Sequence, residues 1–180
     1  MSVRYENLIE GDWVEKCDNL WEILTGTLLD TRTPLERLYT TVSYLKERNV
    51  LDYRVLKEHT TEQISEFFKD SGYPWYNSKA RFFEQDIEFD LKSATYKQMI
   101  SIKGIGDKLA SMWMTIVHKS NDHPIIDIHV TRFLKSKGYN QKDYTSLSNA
   151  FRKEAKKAGL SVSELDHKVL MEGIRKRKGL

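Results

Sequence analysis

The chain has 180 residues, of which 39% are hydrophobic and 11% are aromatic, with three prolines and one cysteine. This apolar content is sufficient for one compact unit or two small lobes, and it argues against intrinsic disorder. The lone Cys17 excludes an intramolecular disulfide and any cysteine-ligated cluster built by this chain. The longest apolar runs are far shorter than the roughly 20 residues of a transmembrane helix, and the first residues lack the apolar stretch of a signal peptide. We therefore expect a cytoplasmic protein without membrane contact.

Charge is distributed unevenly along the chain. Residues 1–96 carry 12 basic and 18 acidic side chains, a net charge of −6, whereas residues 97–180 carry 17 and 8, a net charge of +9. A solvated dipolar surface without a partner would explain this asymmetry. A surface that binds a polyanion would explain it equally well.

The hydrophobic pattern is helical along nearly the whole chain. An apolar stripe at spacings of three and four predicts a first helix over 13–29, and Thr33-Pro34-Leu35-Glu36 predicts a second helix with Thr33 as its N-cap and Glu36 closing a capping box. Further helices are expected from Thr60 to Gly72, over 78–83, 94–100, 107–119, 128–137 and 142–157, and from a capping box at Ser161 toward residue 174. No segment alternates with period two between hairpin turns, so the sequence predicts an all-α fold.

The segment from Ile100 to Ala110 carries the most specific pattern. A short predicted helix enters the turn Gly104-Ile105-Gly106, and a second helix begins at once. Glycine permits positive φ and the close approach of another backbone, and the free N–H groups at a helix start bind anions. This geometry suits a DNA phosphate, with Lys103 close by in sequence. An ordinary turn between two helices has the same tripeptide, so the pattern alone does not decide.

Two side chains after this turn are candidates for chemistry. Lys108 lies in the first turn of the following helix, where a cation opposes the helix dipole at a cost of about 0.3–1 kcal/mol. The dipole favours the neutral amine, which is a nucleophile, although a solvated lysine is the plainer interpretation. Asp127 stands where another helix begins, so it is expected to cap that helix, and an ionised carboxylate there also suits a developing sugar cation. His129 is expected to be a structural, hydrogen-bonding histidine.

Residues 102–110 followed by residues 126–132 resemble the helix-hairpin-helix and Asp motif of the endonuclease III superfamily of DNA glycosylases. In members that are both glycosylase and lyase, a lysine lies two residues after the second hairpin glycine, and an aspartate starts a helix about this far downstream. Lys108 and Asp127 occupy those positions. Within the superfamily, the chain is most similar to the small archaeal-type 8-oxoguanine DNA glycosylase/AP lyases, a likeness that residues 71–81 and 160–166 extend.

The resemblance implies a two-lobed helix-hairpin-helix glycosylase fold and a bifunctional enzyme of base excision repair. Such an enzyme excises an oxidised base, here expected to be 8-oxoguanine, and nicks the strand by β-elimination through a lysine Schiff base. Lys108 and Asp127 would be catalytic, and His129 would support the site. The residues expected to contact DNA are Gly104, Ile105, Gly106, Lys103 and, as a wedge in the gap left by the flipped base, Arg32. The partner is damaged double-stranded DNA, the enzyme is expected to be a monomer, and neither a metal nor another cofactor is implied.

The resemblance further implies that lobe A comprises approximately residues 1–29 and 139–180, and lobe B approximately residues 30–138 with the hairpin at 100–119. The chain departs from the 8-oxoguanine group at its end, where Lys176-Arg177-Lys178-Gly179-Leu180 replaces an aromatic-containing helix and a terminal lysine. Two alternatives therefore stay open. One is the same chemistry on oxidised pyrimidines such as thymine glycol, and the other is a non-catalytic helix-hairpin-helix module that binds DNA.

Overall fold

The computed structural model describes residues 12–178, with side chains through Gly173. Residues 1–11, to which the signal-peptide interpretation applies, lie outside the described residues, as do the side chains of the basic run Arg175–Lys178. All regular structure between residues 12 and 178 is helical, so the predicted all-α fold is confirmed. No helix in this part of the chain is long and apolar enough to cross a membrane.

The regular structure of residues 12–178 consists of ten α-helices and two short 3-10 helices. The 3-10 helices are Asp12–Lys16 and Arg81–Glu84. The α-helices are α1 (Leu20–Leu29), α2 (Leu35–Glu47), α3 (Tyr53–Lys57), α4 (Thr61–Asp70), α5 (Tyr76–Ala80), α6 (Tyr96–Ser101), α7 (Asp107–Ile116), α8 (Ile128–Ser136), α9 (Tyr144–Ala158) and α10 (Val162–Lys178).

The chain divides into two compact units, and the boundary in sequence falls between Ile105 and Gly106. The first unit contains α1 to α6, and its buried side chains include Trp13, Leu28 and Phe68. The second unit contains α7 to α10, and Leu134 and Phe151 are completely buried in it. Trp113 of α7 is also completely buried. The lobes drawn from the sequence, 1–29 with 139–180 and 30–138, stay a prediction.

The predicted continuous helix over 13–29 is wrong, because Asn19 begins a new helix inside it. The Asn19 side-chain oxygen accepts hydrogen bonds from the backbone N–H of Trp21, at 2.9 Å, and of Glu22, at 3.1 Å, so α1 starts at Leu20. The preceding residues turn back as a 3-10 helix. This brings the Trp13 ring onto Gly26, where a Cβ atom would lie 2.1 Å from the ring. Glycine is therefore required at this position in α1.

The predicted capping box at Thr33 is also wrong. Helix α2 begins at Leu35 after Pro34, with no side-chain cap, because the Thr33 hydroxyl instead donates to the carbonyl of Leu29 at 2.8 Å. The two other start signals are confirmed. Thr60 and Gln63 form a reciprocal capping box, and the Ser161 N–H donates to Glu164 Oε2 at 2.7 Å at the start of α10. The short helix α3 had no signal in the hydrophobic pattern.

Candidate active site

The hairpin turn between α6 and α7 needs glycine at its first position. Gly104 has φ +98°, and a Cβ atom there would lie 2.5 Å from the Phe82 ring, so both the backbone and the packing exclude a larger residue. Gly106 has φ −101° and open space around it, so the expectation of positive φ holds only for Gly104. The Ile105 side chain is buried, 5% exposed, and its predicted contact with DNA stays a prediction.

Gln85 holds the turn from outside, a contact that sequence reasoning missed. The Lys103 N–H donates to Gln85 Oε1 at 2.8 Å, and Gln85 Nε2 donates to the Lys103 carbonyl at 3.1 Å and to the Phe82 carbonyl at 3.0 Å. The side-chain amide thus pairs with both backbone groups of Lys103, as a neighbouring strand would. The Lys103 side chain itself is exposed, with its Nζ 3.9 Å from Glu84.

Lys108 is the second residue of α7 and is half-buried. Its helix has Gly106 as N-cap, a residue without a side chain that could cap the N–H groups of the first turn. Those N–H groups carry the positive end of the helix dipole, which attracts an anion such as a phosphate. The amine of Lys108 therefore belongs to a helix start that is suited to bind an anion.

Asp127 is the N-cap of α8, as predicted. Its Oδ1 accepts the backbone N–H of Val130 at 2.7 Å, which occupies one of its two carboxylate oxygens, and the Thr131 hydroxyl donates to its backbone carbonyl, also at 2.7 Å. The residue is half-buried, and Ile128 beside it is 55% exposed. The start of α8 is thus accessible in the second unit, and the helix dipole stabilises a negative charge there.

The Tyr144 hydroxyl joins the helix of Lys108 to the segment of Asp127. Its oxygen lies 2.9 Å from Ser111 Oγ in α7, 2.8 Å from the Pro124 carbonyl and 3.2 Å from the Ile126 nitrogen. Burial raises the pKa of Tyr144 above its usual value, with a further rise from the Asp107 charge and an opposing fall from the Lys108 charge. The charges at the start of α7 therefore reach an oxygen that is bonded to the residue preceding Asp127.

His129 and Arg32, the remaining predicted site residues, have different surroundings. In the second unit, the half-buried His129 packs against α10 so closely that a Cβ atom on Gly173 would lie 2.0 Å from its Nδ1. In the first unit, Arg32 is exposed with φ +60°, and the Trp75 indole donates to its carbonyl at 3.2 Å. A left-handed arginine is costly, so its backbone is held by its surroundings.

Two side chains from the segment 73–79 fix the end of α1, immediately before the loop of Arg32. The buried Lys79 Nζ donates to the Leu28 carbonyl at 2.6 Å, and the Tyr73 hydroxyl donates to the Leu29 carbonyl at 2.6 Å. Burial lowers the pKa of Lys79 to about 8, with the Asp30 charge opposing this fall and the Arg32 charge adding to it. The sequence showed this segment only as part of a resemblance, and the docking of the lysine on a helix end had no pattern of its own.

A cleft of about 580 Å³ lies next to His129 in the second unit, between α8 and α10. Arg132 and Lys137 line it together with Glu172, so it carries both signs of charge. Among the residues that the structure describes, no group of three His, Cys, Asp or Glu side chains is placed to hold a metal ion.

The fold is that of the helix-hairpin-helix DNA glycosylases, with a glycine turn between two helices and an aspartate-capped helix after them. The crystal structure of the H. pylori 3-methyladenine DNA glycosylase MagIII, bound to 1,N6-ethenoadenine, is similar to this chain with a TM-score of 0.67 and 19% sequence identity, over 88% of this chain and 85% of that chain. No family model and no curated protein sequence matches the chain. The comparison confirms the fold but gives no support to the predicted 8-oxoguanine subtype or to lyase activity.

Proposed function

We propose that this chain is a DNA glycosylase of base excision repair that removes a damaged base and then cleaves the strand as an AP lyase. The observation that carries the proposal is the placement of Lys108 in the first turn of α7 and Asp127 at the N-cap of α8, on elements that bond to the same Tyr144 oxygen. An amine and a carboxylate on coupled helix starts are the pair that glycosylase and lyase chemistry requires.

Binding would place the damaged nucleotide outside the duplex. A base inside the helix cannot be reached, so it must flip out at a cost of a few kcal/mol, which damage lowers. The N–H groups at the start of α7, which has glycine as its N-cap, and the net charge of +9 over residues 97–180 favour contact with phosphates. Such contacts position the strand without reading its sequence, which suits an enzyme that must find lesions in any context.

In the proposed reaction the Lys108 amine attacks C1′ of the flipped nucleotide. The bond from C1′ to the base breaks, its electron pair leaves with the base, and the base takes up a proton. Asp127 accepts the proton lost by the amine and stabilises the positive charge that develops on the sugar. The sugar ring opens to an imine on Lys108, loss of a C2′ proton expels the 3′ phosphate, and water then releases the lysine.

For the damaged base we propose 8-oxoguanine, on the resemblance of residues 71–81, 102–110, 126–132 and 160–166 to glycosylases of that specificity. The structural comparison favours a second candidate, an alkylated purine, because the matched protein is a 3-methyladenine DNA glycosylase bound to 1,N6-ethenoadenine. Oxidised pyrimidines and a non-catalytic DNA-binding module are the further alternatives from the sequence.

A panel of duplexes, each with one lesion, tests both steps at once. Duplexes with 8-oxoguanine, thymine glycol or 1,N6-ethenoadenine are incubated with excess protein, and half of each sample is treated with hot alkali, which cleaves at any site that has lost its base. Strand cleavage of the 8-oxoguanine duplex without alkali is the expected result. Cleavage only after alkali would remove the lyase step and with it the nucleophilic role of Lys108. Cleavage of only one of the other duplexes would show that the enzyme excises that lesion rather than 8-oxoguanine. No cleavage of any duplex, with or without alkali, would favour a non-catalytic DNA-binding module.

A further inference from the structure

The Tyr144 hydroxyl has its complete set of hydrogen bonds, and chemistry fixes their directions. A phenol has one proton and can accept two hydrogen bonds. The Pro124 carbonyl can only accept, so Tyr144 donates to it at 2.8 Å, and the Ile126 N–H can only donate, so Tyr144 accepts from it at 3.2 Å. The Ser111 hydroxyl, 2.9 Å away, must then be the second donor. Removing the phenol oxygen would leave all three groups without this partner.

These three partners belong to the two elements that carry Lys108 and Asp127. Ser111, 1% exposed, is one helical turn after Lys108 in α7, so it moves with the first turn of that helix. Pro124 and Ile126 belong to the segment without regular secondary structure that ends at Asp127, and Ile126 is 8% exposed. Tyr144 itself is the first residue of α9, and Asp143 caps that helix by accepting the N–H of Ser146 at 2.8 Å. One oxygen from a third, independently capped helix thus couples the other two elements.

We infer that Tyr144 is a positioning residue that sets the distance between the Lys108 amine and the Asp127 carboxylate. This inference rests on the proposed function and adds a residue to it. The phenol oxygen is bonded to Ser111, Pro124 and Ile126, so its effect on the reaction would act through the two elements that carry these residues. Displacement of a reacting group by about 1 Å can slow a reaction by about 10²-fold. Loss of a hydrogen bond that fixes the positions of two helix starts should therefore lower the reaction rate more than it lowers the affinity for DNA.

The test compares Tyr144→Phe with the wild type and with Tyr139→Phe. Tyr139 lies in the same unit, and its hydroxyl donates to Glu154 at 2.8 Å, so this control removes a tyrosine hydroxyl and one hydrogen bond away from Lys108 and Asp127. The probe is a duplex with one abasic site, and the readout is the rate of covalent trapping by borohydride at saturating protein. DNA affinity is measured separately by fluorescence anisotropy.

We expect Tyr144→Phe to trap at least about tenfold more slowly than the wild type, with DNA affinity within about twofold, and Tyr139→Phe to trap at the wild-type rate. Ser111→Ala is a second variant for the case that Tyr144→Phe fails to fold, because it keeps the bonds of Tyr144 to Pro124 and Ile126. Its trapping rate should also be lower than that of the wild type. In the double variant the two effects should not add, because both remove the same link.

Two results overturn the inference, and they can be told apart. In the first result, the wild type forms the trapped adduct and Lys108→Ala does not, so the proposed function stands. If Tyr144→Phe and Ser111→Ala then trap at the wild-type rate, or lose no more of that rate than Tyr139→Phe does, Tyr144 has only a structural role. If the wild type itself forms no adduct, the lyase step of the proposed function fails, and the positioning role fails with it.

Discussion

The buried amine of Lys79 should make the free energy of unfolding depend on pH, by an amount that follows from its environment. The side chain is 6% exposed, its Nζ donates to the Leu28 carbonyl at 2.6 Å, and burial lowers its pKa from 10.5 to about 8. In the unfolded chain the amine returns to its ordinary pKa. Between pH 8 and pH 10.5 the unfolded chain therefore holds more protons than the folded chain, so this group makes the free energy of unfolding rise as pH increases through that window.

A difference of about 2.5 pH units corresponds to about 3 kcal/mol at about 1.4 kcal/mol per tenfold. Lys79→Met keeps the length of the side chain and removes the titrating amine. We expect the stability of the wild type relative to Lys79→Met to rise by about 2–3 kcal/mol between pH 7 and pH 10, as measured by urea unfolding at several pH values. Lys69→Met, which removes an amine from an exposed position of α4, is the matched control. A difference between wild type and Lys79→Met that does not change with pH would show that the Lys79 amine does not titrate differently in the folded and unfolded chains.

Three further substitutions test the hairpin, the carboxylate and the loop. Gly104→Ala should lower the free energy of unfolding by more than the roughly 1–2 kcal/mol that a positive φ alone costs, because the new Cβ atom would clash with the Phe82 ring. Gly138→Ala is the control, since Gly138 has φ +87° and open space around it and should show only the backbone cost. Equal losses of stability in urea unfolding would contradict this prediction. Asp127→Asn keeps the cap of α8 but removes the charge, so base release in single-turnover assays should slow by about 10²-fold at nearly constant melting temperature, and an unchanged rate would exclude Asp127 from the reaction. Arg32→Gly should raise stability by about 1 kcal/mol while slowing base release from duplex DNA, and base release as fast as in the wild type would exclude the wedge.

The sequence predicts the fold class because the apolar spacing of three and four repeats in nearly every segment, and the start signals at Thr60 and Ser161 involve only neighbouring residues. Prediction from the sequence fails where a side chain has more than one possible hydrogen-bond partner. Thr33 has the pattern of an N-cap, but the Leu29 carbonyl, brought near by the turn, takes its hydroxyl. The apolar stripe over 13–29 hid the break at Asn19, because an apolar pattern continues through a change from one helix type to another.

Some residues of the candidate site could be predicted from the sequence, and others could not. Lys108 and Asp127 are visible in sequence because each lies at the start of a helix within a short motif. Gln85, Tyr144 and Lys79 are not visible, since each acts on backbone groups far away in sequence: Gln85 on Lys103, Tyr144 on Pro124 and Ile126, and Lys79 on Leu28. Such contacts leave no periodic pattern, and only the folded chain shows them.

In the proposed reaction the Lys108 amine forms the covalent bond to the sugar. Peptide mapping by mass spectrometry of the adduct trapped with borohydride on abasic DNA tests it most directly, because it identifies the modified atom's residue rather than a loss of activity. We expect the peptide containing Lys108 to carry the reduced sugar and Lys108→Ala to yield no adduct. An adduct on another lysine or on the N-terminal amine, or trapping that is undiminished in Lys108→Ala, would contradict it.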